Sequence, residues 1–292
     1  MNTNENLFPI SELSNLTGVN TVTIRAWERR YGLLKPKRTN KGHRLYDKND
    51  IQTVHTILAW INKGVSVGKV KPLLQKDTDN DKIEVDEKWL DYQNSFIQAS
   101  KGYNESKLES LYNEMTKQYP LSVCIEYCLQ PLFQSFDTEP NASVELQFLY
   151  ATIKQRMSLT LMVLNRKLKK QPPVTLFLHA SNSSWKIWLA ALINAENNSY
   201  TLVFEDISSL KSIVAVIHKL ESKSALIYSG EKTKLLLESD IKDIQKNNFI
   251  NISGPEFWLN KNQMKLKEIK NQIVFSPIQA VKKQVTATGN KK

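Results

Sequence analysis

Apolar residues recur at helical spacing from the start of the chain. In "ISELSNLTGVN", Ile10, Leu13 and Leu16 share one face, with Ser11 near the helix start and Gly18 as its stop. Asn20 is placed to cap a second helix, "TVTIRAWERRY", which Gly32 ends. Two short helices about a Thr-Gly-Val turn predict a helix-turn-helix. "LLKPKRTNKGHRLY" reads as two short extended stretches about a turn at Asn40, Lys41 and Gly42, which makes a wing. Asp47 then caps a helix in which Ile51, Val54, Leu58 and Ile61 repeat, and "SVGKVKPLLQ" adds a shorter one with Pro72 awkwardly inside it.

The polar stretch "KDTDNDKIEVDE" marks 77–88 as the best linker candidate. Helical periodicity then fills 89–170: "WLDYQNSFIQAS", "NESKLESLYNEMTKQY", "PLSVCIEYCLQPLFQSF" and "ASVELQFLYATIKQRMSLTLMVLNRKLKK". Four such helices with short connections predict a four-helix bundle. After Gln171-Pro172-Pro173, β-rich runs ("VTLFLHA", "YTLVFE", "SALIYS", "FINIS", "NQIVFS") alternate with helical ones, the last of these being "EKTKLLLESDIKDIQKN". That alternation predicts a parallel α/β sheet with helices on both faces over 171–280, followed by a basic tail at 281–292.

Composition narrows the class. The chain has 292 residues, 41% hydrophobic and 24% charged, as in multi-domain globular proteins. No apolar run approaches the roughly 18 residues of a membrane span, and "MNTNENLFPISEL" lacks the basic and apolar regions of a secretion signal. A cytoplasmic protein without membrane contact is expected. Cys124 and Cys128, i and i+4 in an apolar helix, read as buried thiols rather than a disulfide or metal pair. The net charge of +11 is uneven: residues 1–76 hold 13 Lys/Arg against 5 Asp/Glu, a surplus of 8. A basic first quarter on a nearly balanced body points to a polyanion partner, the alternative being a solvated face without one.

A helix ending in Arg25, Arg29, Arg30 and Tyr31 cannot bury so much guanidinium, and DNA phosphate is the natural counterpart. Arg25 and Arg29, four apart, share a face. Trp27 reads as core more readily than as a DNA contact. On the hairpin, Lys37, Arg38, Lys41, His43 and Arg44 are placed to grip backbone, and Tyr46 to donate its hydroxyl to a phosphate; for His43 the alternative is a merely solvated imidazole. Thr21 and Thr23, at the start of the same helix, complete the candidate DNA-binding set.

The stretch "ISELSNLTGVNTVTIRAWERRYGLLKPKRTNKGHRLYDKNDI" closely resembles the DNA-binding domain of MerR-family transcriptional regulators. Helix-turn-helix, "WERRYGLLKPKRT" and the wing "GHRLY" occur in family order at family spacing. The resemblance implies a second helix in the major groove, a wing on the backbone, and a dimer that distorts double-stranded promoter DNA and meets RNA polymerase indirectly there. Arg25, Arg29, Tyr31, Arg38, Arg44 and Tyr46 match the family's contact positions.

The rest resembles regulators of the CarA/CarH/LitR type, whose four-helix bundle and Rossmann-like (flavodoxin-like) domain bind cobalamin. In "LFLHASNSSWKIWLAALI" the family's acidic, histidine and glycine positions fall on Asn182, Ser184 and Ile187, and in the bundle its Glu-His pair falls on Gln147 and Phe148. None of these keeps the family's role, so no cofactor and no metal are expected, cobalamin remaining the alternative. His179, five residues before Ser184, reads as a core or solvated histidine, with a shifted ligand as the alternative. Trp185, Trp188, Phe148 and Tyr150 could fill the vacated volume or line a smaller pocket; filling is favoured because empty cavities cost stability. "HASNSSWK" has no glycine-rich phosphate loop.

The reading is therefore a DNA-binding regulator whose C-terminal region has lost cobalamin, with a cobalamin-dependent, light-responsive regulator as the alternative and a corrinoid-related methyl-transfer protein as a remote one. No catalytic residues are expected, since no Ser/His/Asp or Cys/His set converges. DNA affinity measured across a salt series is expected to fall with a log-log slope of roughly −0.9 per neutralised phosphate, and a flat response would remove the phosphate-gripping role.

Overall fold

Gly18 and Gly32, at φ 72° and 59°, end the first two helices in the left-handed conformation that glycine adopts most cheaply. These helices are α1 (Ile10–Thr17) and α2 (Thr21–Ala26), the latter capped by the Asn20 side chain, which accepts the Val22 N–H at 2.9 Å. Helix α2 runs on without a break into a π-helical turn, Trp27–Tyr31. Three short strands, β1 (Phe8–Pro9), β2 (Lys37–Arg38) and β3 (Arg44–Tyr46), form an antiparallel sheet in the order β1-β3-β2. The wing is thus β2 and β3, turning at Gly42 (φ 81°). Strand β1 goes beyond the expected elements, since two residues show no periodicity. Asp47 caps α3 (Lys48–Asn62) in a capping box with Asp50, and α4 (Val67–Leu73) carries Pro72 near its C-terminal end, where the ring removes the N–H that would face the Gly68 carbonyl and the helix stops one residue later.

This computed structural model describes residues 7–74, 86–138, 143–166, 168, 171–179, 184–207, 210–229, 250–254 and 273–274. Residues 77–85 of the expected linker, the expected helix "EKTKLLLESDIKDIQKN" and the basic tail lie outside the described residues. The chain forms two compact units, residues 1–135 with 141–152, and residues 136–140 with 153–292. The winged helix therefore shares its unit with most of the helical region.

That region holds α5 (Lys88–Lys101), α6 (Glu105–Gln118), a third helix built from α7 (Leu121–Cys124), a π-turn at Ile125–Leu129 and α8 (Gln130–Thr138), and finally α9 (Val144–Asn165). Pro131 removes the N–H that would have bonded the Tyr127 carbonyl four residues back, and the Gln93 side chain supplies the donor instead, at 2.9 Å. Cys124 and Cys128 are buried and unbridged, and burial pushes the Cys128 thiol up to about 12. Asp86, just before α5, accepts from the Ser66 and Lys88 N–H groups at 3.3 and 3.1 Å and pairs with Lys69 at 3.2 Å. Burial works to raise its pKa, but these donors outweigh it and hold the carboxyl below its ordinary value.

Among the described residues the second unit carries five parallel strands, β4 (Val174–His179), β5 (Thr201–Ile207), β6 (Ser224–Ser229), β7 (Ile250–Ser253) and β8 (Ile273–Val274), in the order β5-β4-β6-β7-β8. Counted along the sheet, this is the flavodoxin-like order, with its switch point between β4 and β6. Phe177, Ile227 and Ile252 form one row across three strands, and Ile213 and Ile217 of α11 (Leu210–Lys219) pack on it. Helix α10 (Ser184–Glu196) lies against β4 and β5 and buries Ile187, Leu189, Leu192 and Ile193. The Asn165 side chain, at the end of α9, accepts the Thr201 N–H at 3.0 Å and donates to the Thr201 carbonyl at 2.7 Å, acting as a strand partner where β5 begins. Asn165→Ala is expected to leave both groups unpaired and cost about 1–3 kcal/mol, read by equilibrium denaturation against wild type.

Candidate nucleic-acid interface

Along α2 and its π-turn, exposure alternates by face. Arg25, Arg29 and Arg30 are exposed, as is Val22, while Ile24, Ala26 and Trp27 are buried. The two arginine stripe residues at i, i+4 therefore point away from the core, and Trp27 is the core anchor. Thr21 is half-exposed at the helix start. Thr23 is a correction: at 2% exposure it faces the interior, because its position falls on the same side as Ile24 and Trp27.

The wing is organised by an acid. Glu28 accepts from Arg38 Nη2 at 2.9 Å with one carboxylate oxygen and from Arg44 Nε with the other. One carboxylate at the foot of the helix thereby ties it to both wing strands, and the bond to Glu28 holds the Arg44 guanidinium above its ordinary pKa. Arg38 also reaches the Gly42 carbonyl at 3.4 Å, and Thr39 closes the turn through His43. Lys37, Arg38, Lys41 and His43 are exposed and Arg44 is partly so. A cationic rim is thus presented by helix and hairpin together, with Arg38 and Arg44 already oriented by Glu28. Sequence reasoning passed over Glu28; its signal was a lone acid inside a basic run.

Tyr46 is a second correction. It is fully buried, its hydroxyl has no hydrogen-bond partner among the described residues, and burial pushes its pKa up to about 12, with the Glu28 charge adding to the effect. A phosphate contact would require it to leave the core. Tyr31 is half-exposed, but its hydroxyl is hydrogen-bonded to the Gln118 side chain of α6.

The positions expected to have lost a corrin are placed as follows. Gln147 is exposed and Phe148 packs edge-on against Tyr103 at 5.4 Å, both in the first unit. In the second, Ser184 is half-buried and Ile187 fully buried, while Asn182 lies outside the described residues. The backbone of His179 closes β4 in register with Ser229; its side chain lies outside the described residues. Trp185 is buried under the Lys186 ammonium at 5.1 Å, Trp188 sits 5.7 Å from that of Lys154, and Tyr150 packs on Phe133 at 5.5 Å. Among the described residues no group of three metal-ligating side chains occurs, and no helix is long and apolar enough to cross a membrane.

Residues 8–77 match the model of the MerR HTH family regulatory protein. The chain is 39% identical over 126 residues to the HTH-type transcriptional regulator MlrA of Escherichia coli, covering 43% of this chain and 50% of that one. It is 27% identical over 140 residues to the HTH-type transcriptional repressor CarH of Myxococcus xanthus, covering 44% and 46%. The chain spans about half the length of these curated relatives. Among solved structures, a monomethylamine corrinoid protein from Methanosarcina barkeri aligns at TM-score 0.43 and 9% identity, over 68% of this chain and 96% of that one. The curated relatives are transcriptional regulators rather than enzymes. Residues 8–77 of this chain form a MerR-type helix-turn-helix domain.

Proposed function

We propose that this chain is a promoter-binding transcriptional regulator that grips double-stranded DNA with Arg25 and Arg29 on its second helix and with the Glu28-ordered wing. The observation that carries the reading is the exposed arginine stripe beside a wing whose two arginines are held by one carboxylate. Charge-neutral packing behind that face and cations in front of it suit a polyanion with a groove. The names of MlrA and CarH support the same class. The functional form is a homo-oligomer, a dimer on DNA, that reaches RNA polymerase only through the promoter, and it works in the cytoplasm.

The same proposal holds that the C-terminal region does not take cobalamin. The residues present do not fit a corrin: Ile187 fills buried volume at the glycine position, and serine at the histidine position is a poor cobalt ligand. Its role is then assembly or the sensing of another signal.

Two experiments test these halves. Arg29→Ala is expected to weaken promoter binding by about 1–3 kcal/mol while the melting temperature holds, because the side chain is exposed; unchanged affinity would mean that another face meets DNA. Incubation with adenosylcobalamin and methylcobalamin in the dark, followed by gel filtration, is expected to give a colourless protein peak. Co-eluting corrin absorbance would overturn the loss and favour a light-responsive regulator.

A further inference from the structure

Arg25 and Arg29 are two residues out of phase with Trp27 and Tyr31, which at about 100° per residue puts the two pairs on roughly opposite sides of one helix. The second pair is held by a single residue of another element. The buried Trp27 indole N–H donates to the main-chain carbonyl of Gln118 at 2.9 Å, and the Tyr31 hydroxyl donates to the Gln118 side-chain oxygen. Gln118 ends α6 and is 2% exposed. Its amide nitrogen donates to the Glu114 carbonyl at 3.3 Å and the Glu114 carboxylate at 3.1 Å, and lies 3.5 Å from the Tyr92 hydroxyl. The opposite amide orientation would set its oxygen against two acceptors, so the network admits only one.

The next residue extends the hold. Tyr119 accepts the Val67 N–H at 3.3 Å, at the start of α4. The Trp89 indole donates to the Gly64 carbonyl at 3.0 Å and the Tyr127 hydroxyl to the Asn62 carbonyl at 2.9 Å. The stretch from α3 to α4 is thereby seated on the helical region at its own fixed points and α4 packs in turn on the π-turn, while Gln118 hydrogen-bonds the DNA-facing helix directly. That helix is wound as a π-turn over the same five residues, Trp27–Tyr31, a geometry found more often at functional sites than elsewhere.

We propose that Gln118 is a positioning residue for DNA recognition: by clasping Trp27 and Tyr31 it sets the rotation of the helix that carries Arg25 and Arg29, and it delivers any rearrangement of α6 to that helix. This inference rests on the DNA-binding reading. Gln118 touches no DNA in this scheme. Its loss alters where the arginines point and leaves the number of neutralised phosphates unchanged.

The test is a double-mutant cycle in the full chain with Gln118→Met, which keeps the volume, and Tyr31→Phe. Each single variant is expected to lose about 5- to 10-fold in affinity for the specific promoter, the scale of one hydrogen bond, with non-specific affinity and salt slope held. The double variant is expected to lose no more than either single one. Additive losses, a changed salt slope, or equal loss on specific and non-specific DNA would overturn the proposal. A second readout needs no DNA: amide hydrogen exchange over 24–31 is expected to quicken in Gln118→Met while 54–61 of α3 stays protected. Unchanged exchange at 24–31 would also overturn it. If wild type itself fails to bind DNA, the promoter reading falls, while the exchange arm still decides whether the clasp exists.

Discussion

A buried indole N–H without an acceptor costs free energy, and at Trp27 the bond that avoids this cost joins two parts of the chain. Trp27 lies in the core of the winged helix, yet its partner is the carbonyl of Gln118, 91 residues away. Helix α6 ends at that residue, so its last carbonyls have no intrahelical donor and are open to an outside one. The orphan donor of one element and the orphan acceptor of another satisfy each other. The winged helix and most of the helical region consequently fall in one compact unit. The aromatic cluster of Trp89, Tyr119 and Tyr127, with ring centroids 4.6 and 5.5 Å from Trp89, surrounds the same junction.

On the solvent side the governing term is electrostatic. Arg25, Arg29 and Arg30 crowd the end of one helix, and the wing adds more cations. Glu28 is the counterweight, with a side chain 12% exposed that takes one arginine from each wing strand. The Arg44 pair, the more sheltered of the two, is screened less by salt than a surface pair would be. It leaves the exposed arginines of the helix as the outward charge. The same charge weighs on Tyr46, which stays protonated in its apolar site and contributes to the core rather than to the rim.

In the second unit the parallel sheet follows from strands apolar on both faces, covered by α10 on β4 and β5 and by α11 on the Phe177 row. Ile187 on α10 is part of that covering layer. A buried branched side chain there serves the packing of helix on sheet. Gly254, at φ 118°, brings its backbone against the Ser229 carbonyl so closely that any side chain would collide with it, which ties the ends of β6 and β7 together.

Local signals made much of this legible before any coordinates. The Asn20 and Asp47 caps, the glycines at 18, 32 and 42, the wing, the four helical stretches and the five β-rich runs all depend on residues within a few positions of one another, and each appears where the pattern put it. The basic surplus of the first quarter is likewise a property of the chain itself. Which face of a helix is turned inward is different in kind. Thr23 and Tyr46 looked available from sequence because polar atoms say nothing about what packs over them, and Tyr31 looked free because its partner lies 87 residues away. Strand order, the Asn165 clasp on Thr201 and the Gln118 junction are long-range pairings that no local stretch specifies, decided only when folding brought distant donors and acceptors together.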